Sequence, residues 1–173
     1  MCAGTIPLIF RGNSVRRLPK SLARACTVTL AASLFAASGY AIEVTHNLAA
    51  DGAIAAQQSK PLLLFFTQPG CSYCERARAE YLRHLAVDPA YTSRAIFREV
   101  SIGKLVAGFD GQRRTGSSVA RAHGVTLYPT VLIVDAAGKQ LAPPLRGYTT
   151  PDFYGASIDS RLDEAVKVLR SAQ

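Results

Sequence analysis

The 173-residue sequence has no tryptophan, one methionine and only four cysteines: Cys2, Cys26, Cys71 and Cys74. It shows no internal repeat, no low-complexity tract and no linker within residues 42–173, which excludes a repeat array and leaves one domain. No apolar run reaches the ~20 residues of a membrane-spanning helix. A structural zinc site wants four ligands, yet residues 42–173 pair two cysteines once and scatter His46, His84 and His123 without a second paired spacing. Zinc is therefore disfavoured. The chain is long enough to bury a real core, so it needs neither a metal nor a disulfide to fold. The cysteines need another explanation.

Charge is uneven. Arg11, Arg16, Arg17, Lys20 and Arg24 precede the short apolar run ACTVTLAASLFAASGYA with no acidic residue among them. This order, with small residues at Gly39-Tyr40-Ala41, reads as an export signal cleaved after Ala41. Arg16-Arg17 is a loose match to a twin-arginine signal. Cys26 stands at the start of the apolar run rather than ending it, which argues against a lipid anchor. Residues 1–41 are thus expected to be a signal peptide and residues 42–173 the mature domain, placed in the periplasm or secreted. Removing the leader takes the formal charge from +8 to 15 − 12 = +3 and takes away Cys2 and Cys26. What remains is too weakly basic for a surface that tracks phosphates, so a nucleic-acid partner is not expected. Cys71 and Cys74 are then the whole cysteine content, in a compartment where disulfides persist.

Along 42–173 the pattern alternates. IEVTHNL (42–48) reads as a short strand and AADGAIAAQQSK (49–60) as a helix. PLLLFFT (61–67) is continuously apolar, as in a strand buried on both faces. Residues 72–87 read as a helix with Cys74, Ala77, Tyr81, Leu82 and Leu85 on one face. AIFREVSI (95–102) is a third strand, and residues 103–116, rich in glycine, read as a long surface loop in which Arg113-Arg114 is solvated. A short helix (117–124) follows, then a strand at 130–134, a turn at 135–139 and a returning strand. Pro143-Pro144 falls inside that last strand and cannot donate to a ladder, so the strand is expected at the sheet edge. A helix signalled by Thr150-Pro151 closes the chain. The predicted order is β-α-β-α-β-α-β-β-α, an α/β fold.

A CxxC pair at a strand-to-helix junction has a chemical use. The first turn of a helix presents free N–H groups and the positive end of the macrodipole, which stabilise a thiolate at Cys71. Cys71 is the expected nucleophile. Cys74, three residues on, faces the same side and is the expected resolving thiol. Pro69 and Gly70 let the backbone turn sharply ahead of the pair, with Ser72 and Tyr73 between the cysteines. A purely structural staple is the poorer explanation, since so small a loop restrains the unfolded chain little beside the ~3 kcal/mol of a 15-residue loop.

CxxC after a buried strand, Tyr128-Pro129 before the strand at 130–134, and the Gly138-Lys139 hairpin together resemble the thioredoxin family over roughly residues 43–171. RGYTTPDFYGASIDSRL (146–162) is similar to exported bacterial members that serve sulfur oxidation or cytochrome c maturation. The resemblance implies a thioredoxin fold, a central mixed sheet flanked by helices, and thiol:disulfide exchange without organic cofactor or metal. It also implies a cis Tyr128-Pro129 bond, with the Tyr128 backbone pairing with a bound substrate chain. Partners implied are disulfide-containing proteins and a membrane thiol-disulfide electron donor, with no stable membrane insertion. The reducing direction follows from the subgroup likeness; a disulfide oxidase or isomerase of the same fold, and a metal-handling or adaptor module, are the alternatives. The chain departs from thioredoxins in lacking the tryptophan before the first cysteine, and in having Phe65 where they carry a buried aspartate. The proton acceptor for Cys74 stays open: Glu75 is expected to face solvent, and Glu99 on the third strand is a candidate, though a charged strand residue more often lies at the surface.

Overall fold

The structure is a computed structural model that describes residues 42–148 and 151–172, apart from the side chains of Pro151 and Asp152. The signal-peptide reading of residues 1–41 lies outside the described residues. Helix α1 (Leu48–Gln58) starts where the Asn47 side chain accepts the Ala50 N–H, and ends at Ser59 in the left-handed region. Strand β1 (Leu62–Thr67) follows. All six of its residues are buried, as its unbroken apolar run requires. Helix α2 (Ser72–Ala77) runs on through a π-helical turn (Arg78–Leu82) into α3 (Arg83–Leu85), and α4 (Pro89–Thr92) is capped by the Asp88 side chain. Next come β2 (Ile96–Ser101), β3 (Leu105–Ala107), β4 (Arg113–Thr115), α5 (Gly116–Ala122), β5 (Thr130–Val134), β6 (Leu145–Arg146) and α6 (Pro151–Ser171).

The four-stranded sheet has the order β2-β1-β5-β6. Strand β1 is parallel to β2 and antiparallel to β5, while β5 and β6 are antiparallel, so the sheet is mixed. Two cores form, one on each face. Leu63, Phe65, Phe97, Val131 and Ile133 meet Cys74, Ala77, Leu82, Tyr154, Ile158 and Leu162 from α2, its π turn and α6. Leu62, Leu64, Phe66, Val100, Leu132 and Val134 meet Leu48 and Ala55 of α1, Val106 of β3, and Val119 and Ala120 of α5. A Leu or Phe side chain buried so completely contributes about 1.5–3 kcal/mol. Five consecutive residues of β1, Leu62 to Phe66, are fully buried, which makes this strand the most deeply covered part of the chain.

Three sequence expectations are corrected. The first strand, 42–48, shrinks to isolated bridges, Val44 with Glu99 and Asn47 with Ala107. One polar side chain turns inward: buried Thr45 donates to buried Asp51, which also accepts from Arg98. The 103–116 loop is a β-hairpin, β3 with β4, and Arg114 pairs with Asp110 rather than standing free. Val106 pins the hairpin to the α1/α5 core. The returning strand is only Leu145–Arg146 plus one bridge from Gln140 to Val134, because Pro143-Pro144 precedes the pairing rather than joining it. It does lie at the sheet edge. Among the described residues no helix is long and apolar enough to cross a membrane.

Both ends of the hairpin are tightly seated. At its base a Cβ on Gly116 would stand 2.2 Å from the Ser101 carbonyl oxygen, and at its tip Phe109 covers Gly138, whose φ is +87°. The His123 ring packs at 5.8 Å from Phe109 and 6.5 Å from Phe66, and burial holds its pKa below the ordinary value. Gly116→Ala is expected to cost about 1–3 kcal/mol by overpacking, measured by chemical denaturation. A lowered histidine pKa means that the unfolded chain binds more protons than the native one below the unfolded value of about 6.5. The stability that neutral His123 contributes is therefore present above that value and lost as pH falls through the folded one. Thermal denaturation at pH 7 and pH 5 should show a smaller drop for His123→Leu than for the parent chain.

Candidate active site

The end of β1 fixes the site. Pro69 and Gly70, both exposed, carry the chain away from Thr67, and Gly70 takes φ +71° with open space around it, a conformation glycine adopts at little cost. Cys71 is then the N-cap of α2 in extended conformation, and its sulfur accepts the Cys74 backbone N–H at 3.1 Å. Cys71 and Cys74 form a disulfide with their Cα atoms 5.2 Å apart. Cys71 keeps 7% of its surface exposed, whereas Cys74 is fully buried among Phe65, Ala77 and the rest of the α2/α6 core. An incoming sulfur therefore meets Cys71 first. Ser72 and Tyr73 stand out at the surface, Tyr73 with 57% of its area exposed.

The antiparallel register brings a second element to the same end. Thr130 pairs with Phe66, so the residues just before it lie beside the end of β1 that leads to Cys71. There the Tyr128-Pro129 peptide is cis. Pro129 is buried, and half-buried Tyr128 packs against both cores. The turn is held on both sides: Thr130 Oγ1 donates to the Leu127 carbonyl at 2.7 Å, and the Gly147 N–H donates to the Pro129 carbonyl at 2.7 Å.

Under the CxxC helix lies a charged network of which the sequence pointed to Glu99 but not to its burial or its pairing with Arg78 and Thr67. Glu99 is not at the surface; it is 5% exposed. Its carboxylate accepts from Thr67 Oγ1 at 2.8 Å, from Arg78 Nε at 3.0 Å and from the other Arg78 fork at 2.7 Å. Arg78 lies four residues after Cys74, on the same helix face, with its guanidinium 5.8 Å from the centre of the Phe65 ring, and it also pairs with Glu75. Burial opposes the Arg78 charge, but hydrogen bonds to Glu99 and Glu75 outweigh it and raise the pKa. The period-2 pattern carried the signal, since Glu99 shares a strand face with buried Phe97. Phe65 pairs with Glu99 in register, so the carboxylate sits one strand over from Phe65.

A tyrosine cluster ties the helix to the chain beyond β6. The Tyr148 hydroxyl donates to Glu80, Arg76 lies 5.1 Å from the Tyr148 ring centre, and Tyr154 packs at 4.9 Å from Tyr148 and 5.6 Å from Tyr81. Burial, with the Glu80 hydrogen bond, pushes the Tyr148 pKa up to about 12, so it remains a donor at neutral pH. Among the described residues no three His, Cys, Asp or Glu side chains come together as a metal site.

Removing one partner of a buried ion pair strands the other. Glu99→Ala should lower stability by about 3 kcal/mol, while the double change Arg78→Met with Glu99→Leu should cost less than Glu99→Ala alone. Urea denaturation of the parent and the two variants measures both, and a double variant that loses as much as Glu99→Ala or more would contradict the coupling.

Residues 48–160, more than half of the chain, match the family described as thioredoxin-like domain. None of the curated proteins matches the sequence. Among solved structures the chain is similar to the thioredoxin of Fasciola hepatica, with 16% identity over 69% of this chain and 99% of that one at a TM-score of 0.48. It is also similar to Malassezia sympodialis thioredoxin, Mala s 13, with 17% identity over 70% of this chain and 94% of that one at a TM-score of 0.50. A mixed sheet flanked by helices, a CxxC disulfide at the end of its buried strand and the family match over residues 48–160 together place the chain in the thioredoxin family.

Proposed function

We propose that the protein is an exported thiol:disulfide oxidoreductase that reduces protein disulfides through the Cys71/Cys74 couple. The observation that carries this reading is the asymmetry of the pair. Cys71 sits at an accessible helix start with a backbone N–H aimed at its sulfur, and Cys74 is wholly buried behind it. A donor N–H and a helix N-terminus favour thiolate at Cys71 over thiol.

In the reduced protein the Cys71 thiolate attacks one sulfur of the substrate disulfide. The substrate S–S bond breaks, a Cys71–substrate bond forms, and the other substrate sulfur leaves as thiolate. Cys74, giving up its proton, then attacks the Cys71 sulfur; the mixed disulfide breaks and the Cys71–Cys74 bond forms. Two electrons have passed to the substrate, which leaves as a dithiol with two protons. A dithiol donor must return them, and for an exported protein that donor is a membrane thiol-disulfide transducer. Tyr128 and Pro129 lie just before β5, beside the end of β1 that leads to Cys71, which supports reading them as the edge on which an extended substrate segment pairs by its backbone. The basic leader and apolar run of residues 1–41 support export.

Cys74→Ser should accumulate mixed disulfides with substrate proteins, visible as thiol-sensitive bands on non-reducing gels, while Cys71→Ser traps none; equal trapping by both would contradict the assigned roles. Equilibration with glutathione should give a potential below about −200 mV, toward thioredoxin rather than the about −120 mV of a disulfide-introducing oxidase. A value near the latter overturns the reducing direction.

A further inference from the structure

The end of the sheet that carries Cys71 also carries exposed groups that the exchange chemistry does not use. Ser101 ends β2 opposite Thr67, and the Ile102 N–H donates to the Thr67 carbonyl. Gly103 follows so close to the active-site turn that a Cβ there would lie 3.1 Å from the Pro69 ring. The base of the β3-β4 hairpin therefore abuts the loop before Cys71, and its next two residues, Lys104 and Leu105, are exposed, Leu105 by 55%. On the other side, Arg146 pairs with Thr130 and precedes Gly147, which holds the Pro129 carbonyl. A Cβ on Gly147 would lie 3.6 Å from Leu127, itself 52% exposed. At about 4.8 Å per strand, β2 and β6 stand about 14 Å apart with Cys71 between them.

The charges at this end do not cancel. Glu75 is bound to Arg78, and Glu80 to Arg76 and Tyr148. Lys104 and Arg146 are exposed and form no ion pair among the described residues. Among the described residues, Lys104 and Arg146 are thus two cations without an ion pair at an end of the sheet that also carries exposed Leu105, Tyr73 and Leu127.

We propose that this surface selects its substrate, and that the substrate is a protein whose reducible disulfide lies in a segment carrying acidic residues on both sides of an apolar centre. The hairpin base supplies one half of the reading surface and the β6 edge the other. Such a surface acts mainly on encounter: an oppositely charged rim raises association rates, and salt screens the effect over about 10 Å at 0.1 M. The proposal rests on the reading of Cys71 and Cys74 as a turnover site, and the test separates the two.

Three disulfides serve as probes, with dithiothreitol returning electrons: neutral bis(2-hydroxyethyl) disulfide, and two disulfide-cyclised peptides of one length whose flanks are aspartate in one and lysine in the other. The parent protein should reduce the acidic peptide about five- to tenfold faster than the basic one at low salt, and the ratio should approach one in 0.5 M salt. Lys104→Glu with Arg146→Glu should reverse the order. Lys139→Glu, a charge reversal in the turn after β5 at the opposite end of the sheet and half the change of the double variant, should leave the ratio as it was. A parent ratio near one, or a ratio indifferent to the double variant or shifted equally by Lys139→Glu, overturns the proposal while turnover of the neutral disulfide keeps the redox reading intact. Turnover of none of the three overturns both.

Discussion

Strand β1 has no solvent-facing side: an apolar core covers each face and a hydrogen-bonded strand lies along each edge. Its end at Thr67 can shift only if both cores shift. Everything chemical is hung from that end. Pro69 and Gly70 convert a fixed strand terminus into a fixed helix start, so the Cys71 sulfur is aimed by packing some residues away as well as by the Cys74 N–H it accepts. Strand β5, read against β1 residue by residue, delivers Pro129 to the same place, and β2 delivers the base of the hairpin. Large-to-small changes in a core so tightly filled cost a few kcal/mol each, and here they would also loosen the sulfur.

The polar network under α2 depends on the same frame. Thr67 and Glu99 are neighbours only because β1 and β2 are parallel and in register at Phe65 with Glu99. A carboxylate in so covered a place must be paired and hydrogen-bonded, and Arg78 meets that need from the helix above. The pair thereby fastens the helix that bears Cys74 to the strand beside β1. The π-helical turn begins at Arg78, where the helix passes from this anchor toward the tyrosine cluster.

Much of this is legible in the sequence, and for physical reasons. PLLLFFT has one reading because continuous apolarity demands burial on both faces, and CxxC at its end has a chemical meaning that few other spacings share. Where reading falls short, the deciding forces are tertiary. Residues 42–48 carry strand-forming residues, but their backbone pairing amounts to two isolated bridges, with Glu99 and Ala107, and the Thr45 side chain is drawn in by Asp51. The hairpin is hidden because its strands are three residues each and its turn is built on glycines that also signal loops. Glu99 is hidden by its charge: a carboxylate on a strand suggests solvent until a cation is found to meet it, and that cation stands 21 positions earlier in the chain.

Cys71 keeps a small accessible surface and is read as the activated cysteine, while fully buried Cys74 is held in reserve. Brief treatment of the fully reduced protein with a substoichiometric neutral alkylating agent at pH 7, followed by peptide mass mapping, reads this directly. The account predicts the label on Cys71 with Cys74 essentially unmodified. Labelling of Cys74 first, or of both at equal rates, would contradict it.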